Sequence, residues 1–316
     1  MRWLNFFILS LLFFSCQKEQ ISFEMKQIEV GTTDNIYDLI FVNDSLAFLC
    51  GGRFWETGMV AKSIDGGESW EIILEADNVL YKVAFKNELE GVALGFSGRA
   101  WQTVDGGQTW NLTESTPNYP VFTDAVFLDN NKMILSAGYS YYYGGFASYF
   151  FNGQTFGDSL TNQDMESVYF FDSNEGLIAG YGVVYKTFNG GTNWEILSVD
   201  GDYFKDVEFN TDREGLLIGY RGKIFSSSDA GNHWEKVGKK ASFFTTKGNL
   251  EDAALYERQA FICGQNSSFY YSANFLDGNW LSVDHNFNED LLCVTLKNAT
   301  EGFVTGENGL LVKFFY

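Results

Sequence analysis

Apolar and polar positions alternate along this chain in short runs, and the runs come in a fixed order. The first run of each set ends on Phe: residues 38–41, 82–85, 124–127, 167–170 and 206–209. The second is apolar and bounded by Gly: residues 91–95, 176–180, 215–219 and 302–306. A third short run enters a polar turn, and a fourth leaves it, as Trp70 to Leu74 does. Alternation rich in aromatic and β-branched residues predicts half-buried strands. No stretch sustains a 3.6-residue period with caps, so essentially no helix is expected.

The polar turn recurs almost letter for letter. Ser63, Asp65, Gly67 and Trp70 keep the spacing of Thr103, Asp105, Gly107 and Trp110. Thr187, Asn189, Gly191 and Trp194 repeat it, as do Ser227, Asp229, Gly231 and Trp234. Successive Trp residues lie about 40 positions apart, or two periods apart where a degenerate copy intervenes over residues 122–156, with Phe156 in the Trp place. Residues 272–280, ending in Trp280, form a loosened copy. A last repeat starts near Asp290 and stops at Tyr316 after three strands, while an orphan strand, residues 23–30, stands at the other end. Four strands at this period predict an all-β fold, a seven-bladed β-propeller of four-stranded antiparallel blades over residues 23–316. The N-terminal strand is expected to complete the last blade, closing the ring and removing its exposed edges.

The repeated turn has a plain structural use. A short Asp or Asn side chain accepts bonds from turn amides, Gly permits positive φ, and the Trp buries a large apolar face between blades. These phrases resemble Asp-box (BNR) repeats, found in sialidases, sortilin-type receptors, tandem-propeller xyloglucanases and the photosystem II assembly and stability factors. The short repeats, with their Gly-bounded second strand, look most like the assembly-factor group. The resemblance implies that Asp65, Asp105, Asn189 and Asp229, with Trp70, Trp110, Trp194 and Trp234, are structural staples remote from any active site.

Strands alternate in direction, so the staples share one face with the turns between first and second strands. The opposite face carries the starts of the first strands and the turns between second and third. Asp38, Asp124, Asp206, Asp252 and Asp290 stand at those starts, with Lys82 and Ser167 in the other places, and are expected to ring a central channel. The second-to-third turns bring Arg53, Trp55, Phe96, Arg99, Tyr139, Tyr181, Tyr220 and Arg221. Aromatic residues and Arg anchor protein interfaces, so this face is the candidate for binding a partner. The bland alternative is a set of turn-capping Asp residues and scattered surface aromatics. Resemblance to the assembly factors implies an arginine-bearing face, a part open here to Arg53, Arg99 and Arg221.

The net charge of −20 excludes duplex DNA and anionic lipid as general partners, because both need a basic footprint. A sialidase would need an arginine triad, a Tyr nucleophile and an Arg-Ile-Pro motif. That motif is absent, since the prolines are Pro117 and Pro120. His233 and His285 are too far apart in sequence to suggest zinc, and the Gly pairs open hairpins where phosphate loops open helices. No cofactor or metal is expected, and the enzyme reading is set aside. A carbohydrate-binding or glycosidase propeller remains the alternative.

Arg2 precedes an apolar run, residues 6–14, followed by Ser15 and Cys16. This is a signal peptide in outline, too short to span a bilayer. Residues 12–16 resemble the lipobox of bacterial lipoproteins, which implies cleavage after residue 15, lipidation of Cys16 and a tether over residues 16–22. Cys50, Cys263 and Cys293 lie in apolar strand-like runs; they read as buried thiols, with a Cys263–Cys293 bridge left open. The expectation is therefore an exported, lipid-anchored, monomeric propeller on the periplasmic or cell-surface side of a bacterial membrane. It would bind other envelope proteins as a scaffold or assembly factor.

Overall fold

The computed structural model describes residues 20–114, 120–128, 132–138, 146–151, 154–159, 163–200, 203–237 and 248–316. Strands β1 (Gln20–Ser22) and β2 (Glu24–Gln27) open the chain. One sheet follows from β3 (Asn35–Phe41), β4 (Ala47–Arg53), β5 (Thr57–Ser63) and β6 (Glu71–Ala76). The next comprises β7 (Leu80–Phe85), β8 (Gly91–Gly95), β9 (Arg99–Thr103) and β10 (Asn111–Glu114). After it come β11 (Val121–Phe127), β12 (Met133–Gly138), β13 (Phe146–Phe151) and β14 (Gln154–Ser159). The pattern continues through β15 (Met165–Phe170), β16 (Gly176–Gly180), β17 (Val183–Thr187) and β18 (Glu195–Leu197). It repeats in β19 (Phe204–Phe209), β20 (Gly215–Gly219), β21 (Ile224–Ser227) and β22 (Glu235–Lys236). Last come β23 (Leu250–Tyr256), β24 (Gln259–Gly264), β25 (Ser268–Ser272) and β26 (Leu281–Asp284), then β27 (Leu291–Leu296), β28 (Glu301–Gly306) and β29 (Leu311–Phe315).

The first strand of each sheet lies inside, next to the first strand of its neighbours, and β27 returns to β3. This is an all-β propeller. Its blade count corrects the expectation of seven four-stranded blades: among the described residues there are six four-stranded blades, and the remaining sheet has five strands, in the order β1-β26-β25-β24-β23. The extra strand, β1, runs parallel to β26, pairing Gln20 with Ser282 and Ser22 with Asp284. The physical reason is an open edge. The outermost strand of any blade leaves a row of unpaired N–H and C=O groups, and the chain just upstream of β2 lies within reach of β26. Residues 20–22, read from sequence as tether, are strand here. β2 pairs antiparallel with β29, so both chain ends share one sheet. Phe23, between the two strands, packs on Phe261, Tyr271, Phe314 and Tyr316 with ring centroids 5.4–6.4 Å apart.

The core lies between sheets. Ala84, Val92, Leu94 and Ala100 meet Phe122, Ala125, Met133 and Leu135 of the following sheet, and the same interleaving recurs around the ring. Two recurring residues of the sequence pattern find their cause here. A Cβ on Gly91 would lie 2.6 Å from the ring of Phe85, so the Phe that ends the inner strand needs Gly opposite. A Cβ on Gly95 would lie 2.1 Å from the Val79 carbonyl oxygen, which forces the second Gly. Cys50, Cys263 and Cys293 are free and buried.

The repeated polar turns close on themselves. Ser63 Oγ accepts the Gly67 N–H and donates to Asp65. Asp65 accepts the N–H groups of Glu68 and Ser69 and the Ser69 hydroxyl. Thr103 with Asp105, Thr187 with Asn189 and Ser227 with Asp229 make the corresponding bonds. Each of these turns is also tied to the preceding sheet by a lysine. Lys62 donates to the Gly106 carbonyl, Lys132 to Gly190, Lys186 to Ala230 and Lys297 to Gly66. The turns therefore work between blades as well as within them. Trp110, Trp194 and Trp234 pack edge-on against Phe85, Phe170 and Phe209.

Candidate functional site

On the face opposite those turns, the inner strands begin with a shared irregularity. The register to the second strand slips by one residue between Ile36 and Asp38, Leu80 and Lys82, Phe122 and Asp124, and Met165 and Ser167. It slips again between Phe204 and Asp206, Leu250 and Asp252, and Leu291 and Cys293. A β-bulge of this kind re-aims side chains. Both the skipped residue and the one after it now line a central cavity of about 350 Å³. Cys293 occupies the place that sequence spacing assigned to Asp290. Asp290 lies upstream and accepts the Asn266 N–H at 2.7 Å.

The carboxylates at the bulges clasp neighbouring sheets. Asp38 accepts the N–H of Val83, Asp124 that of Val168, Asp206 that of Ala253 and Asp252 that of Val294, at 2.7–3.1 Å. Ser167 takes the same part for Val207 at 3.3 Å. Lys82 instead bridges two carboxylates, 3.4 Å from Asp38 and 3.1 Å from Asp124. One residue nearer the strand starts, Lys205 bridges Glu166 at 3.2 Å and Glu251 at 3.4 Å.

These positions set the electrostatics. Burial raises the Asp206 pKa to about 6, against the hydrogen bond from Ser167. Burial also raises Asp38, and burial with repulsion from Asp206 raises Asp252 and Glu208. Burial works against the Lys82 ammonium, but Asp124 and Asp38 outweigh it and hold its pKa well up. Lys205 behaves the same way beside Glu166 and Glu251. Among the described residues, no group of three His, Cys, Asp or Glu side chains is placed to hold a metal ion.

Aromatic residues surround the mouth. Tyr37 and Tyr81, both lining the cavity, meet edge to face at 4.9 Å. Tyr203, also in the cavity wall, touches Tyr181 at 5.4 Å and Tyr220 at 5.2 Å. A second cluster joins Phe54, Trp55 and Phe96, with centroids 4.7–5.4 Å apart. Trp55 is 65% exposed and Tyr181 57% exposed, so both clusters face solvent. The Trp55 backbone is held at positive φ and its N–H bonds the side chain of Asn78, in the link between β6 and β7, at 3.0 Å, which fixes the turn.

The arginines stand differently. Arg53 pairs with Asp34 at 3.0 Å and with Glu56 at 3.9 Å, and Arg99 pairs with Asp77. Arg221 makes no ion pair among the described residues; its N–H bonds Asn249 at 3.4 Å. Tyr139 and Cys16 lie outside the described residues. Sequence reading missed Tyr37, Tyr81, Tyr203, Glu166, Lys205 and Glu251. Their signal was present, since most sit directly before the residue singled out at each strand start. Strict alternation would have turned them away from the channel.

No protein-family model and no curated protein matches the chain. Solved structures do. A structure of YCF48 bound to D1 peptide superposes with a TM-score of 0.74 at 18% identity, covering 95% of this chain and 98% of that one. YCF48 from Cyanidioschyzon merolae gives 0.71 at 17% identity, covering 92% and 98%. The WD40 β-propeller domain of Doa1 gives 0.69 at 12% identity, covering 92% and 95%. At these identities the shared property is the β-propeller fold.

Proposed function

We propose that this chain is a protein-binding propeller, a scaffold or assembly factor without catalytic chemistry. It engages a segment of another protein on the face that carries the channel mouth. The observation that carries this reading is the pair of solvent-facing aromatic clusters, Phe54, Trp55 and Phe96 on one side and Tyr181, Tyr203 and Tyr220 on the other. Large, rigid aromatic side chains bury much area at little entropic cost, which is what an interface anchor requires. The likeness to a YCF48 structure that contains a peptide supports the same reading. The bulge carboxylates accept N–H groups of neighbouring sheets, which suits them to holding the ring together.

The proposal includes an address. The N-terminal segment directs export, and lipid on Cys16 holds the propeller at a bacterial membrane on its periplasmic or cell-surface side, beside partner proteins of the envelope. Replacing Cys16 by Ser should release the protein into the soluble fraction and end incorporation of labelled fatty acid. Retained labelling would remove the anchor from the proposal.

The binding face is tested by crosslinking in cells from a photoreactive residue at position 54. Peptides from a defined envelope protein should be recovered, and Trp55→Ala with Tyr181→Ala should abolish them without changing the melting temperature. Crosslinks unchanged by that double variant would reject the assignment. Recovery of glycan in place of peptide would move the protein to the carbohydrate-binding alternative.

A further inference from the structure

We propose that the cavity at the channel mouth receives a cationic side chain, Lys or Arg, of the bound protein segment, while the aromatic clusters hold the residues on either side of it. This rests on reading that face as a protein-binding surface, and it names the chemistry of the partner.

The cavity walls carry seven carboxyl groups and two ammonium groups. Both ammonium groups are engaged, Lys82 between Asp38 and Asp124 and Lys205 between Glu166 and Glu251. Asp206 is 9% exposed and lines the cavity; its oxygens accept the Ser167 hydroxyl at 2.9 Å and the Ala253 N–H at 3.1 Å, it forms no ion pair among the described residues, and Lys82, already paired twice, offsets its charge. Asp252, also in the wall and partly exposed, accepts the Val294 N–H at 2.7 Å, and the same Lys82 acts on its charge. Seven carboxyl groups against two ammonium groups leave an excess of negative charge in the cavity wall, and an incoming cation relieves the cost of that excess.

The aromatic wall points the same way. Cations are attracted to aromatic faces, and Lys205 Nζ already lies 5.5 Å from the centre of the Tyr203 ring. Tyr37 and Tyr81 offer further ring surface in the same cavity. At about 350 Å³ the space is at the small end of ligand cavities, which run from roughly 300 to 1,000 Å³, and suits a single long side chain. A bare metal ion fits less well, because among the described residues no three ligating groups converge. An acidic segment is disfavoured as well, since Arg53 and Arg99 at the rim are already paired with Asp34, Glu56 and Asp77.

The test uses the full chain and a set of eight-residue peptides that are neutral except for one central position: Arg, Lys, citrulline or Glu. Titration calorimetry should detect binding of the Arg and Lys peptides, weakening as salt rises, and none of the Glu peptide. Citrulline keeps the shape of Arg without its charge and should bind at least tenfold more weakly. Asp206→Asn with Asp252→Asn keeps an oxygen acceptor for each backbone N–H and should lower Arg-peptide affinity at least tenfold at unchanged circular dichroism. Glu251→Gln, one residue nearer the strand start, should lower it severalfold and serves if the double variant fails to fold. Equal affinity for the Arg and citrulline peptides, or affinity indifferent to these variants, would overturn the proposal. Crosslinking lost in Trp55→Ala with Tyr181→Ala but kept in the carboxamide variants would overturn it while leaving the binding face in place; crosslinking indifferent to both sets would remove both.

Discussion

The Asp206 carboxylate accepts the backbone N–H of Ala253 at 3.1 Å, so a charge in the channel wall also joins two blades. The Asp206 pKa is raised to about 6 by burial, and Asp38, Asp252 and Glu208 are raised beside it. A carboxyl whose folded pKa exceeds its unfolded value binds a proton first in the folded state, so stability grows as pH falls through that interval. The His285 imidazole opposes this, since burial lowers its pKa. With four carboxyls against one imidazole, the melting temperature should rise between pH 7 and pH 5. Below that the repeated turns take over. Hydrogen bonds led by the Ser69 hydroxyl hold Asp65 at about 2, and the Thr109 hydroxyl does the same for Asp105, so their contribution is present above about 4 and lost toward pH 2. A thermal unfolding series across pH should therefore show a maximum near pH 4–5, and Asp206→Asn should flatten its neutral limb. A monotonic rise toward pH 7 would contradict the assignment.

Lys186 carries the most buried of the lysine ties between sheets. Its side chain is 1% exposed, with Glu175 at 2.9 Å and the Ala230 carbonyl and Asn232 side chain each at 2.8 Å. Glu175 keeps its pair with Arg213 when Lys186 is removed, but the Ala230 carbonyl and the Asn232 side chain lose their charged donor, so Lys186→Met should cost about 2 kcal/mol in urea unfolding. Lys26→Met, which breaks a solvent-exposed pair with Glu68, should cost under ~1 kcal/mol.

Ala230 stands at φ 61°, where the corresponding turns have Gly66, Gly106 and Gly190. A left-handed conformation costs a non-glycine residue roughly 1–2 kcal/mol, part of which glycine returns through the unfolded chain. Ala230→Gly should therefore stabilise the protein by ~0.5–1 kcal/mol, seen as a higher melting temperature.

The N-terminal latch should be divisible. Phe23→Ala empties a half-buried ring site among Phe261, Tyr271, Phe314 and Tyr316 and should cost ~2 kcal/mol. Deleting residues 20–27 also uncovers the edge of β29 and should broaden the unfolding transition. A sharp, unshifted transition in the deletion would show that the ring holds without the latch.

Much of this architecture was legible in the chain. The Phe that closes each inner strand, the Gly pair that bounds the next and the Asp-to-Trp spacing of the turns are local packing and turn requirements. Local requirements repeat wherever the unit repeats, so strand order, the face carrying the turns and the pairing of the chain ends could be read from residues alone. Tertiary structure decided what alternation cannot express. A one-residue bulge turned Tyr37, Tyr81, Glu166, Lys205 and Glu251 into the channel and put Cys293 where Asp290 was expected. An open edge on β26 took up β1 and made one sheet five-stranded. Arg53 and Arg99 found acidic partners through contacts that no spacing predicts. The polar turns that first draw the eye proved to tie blade to blade through Lys62, Lys132, Lys186 and Lys297, because the partner of a turn carbonyl is set by which sheet lies next to it in space.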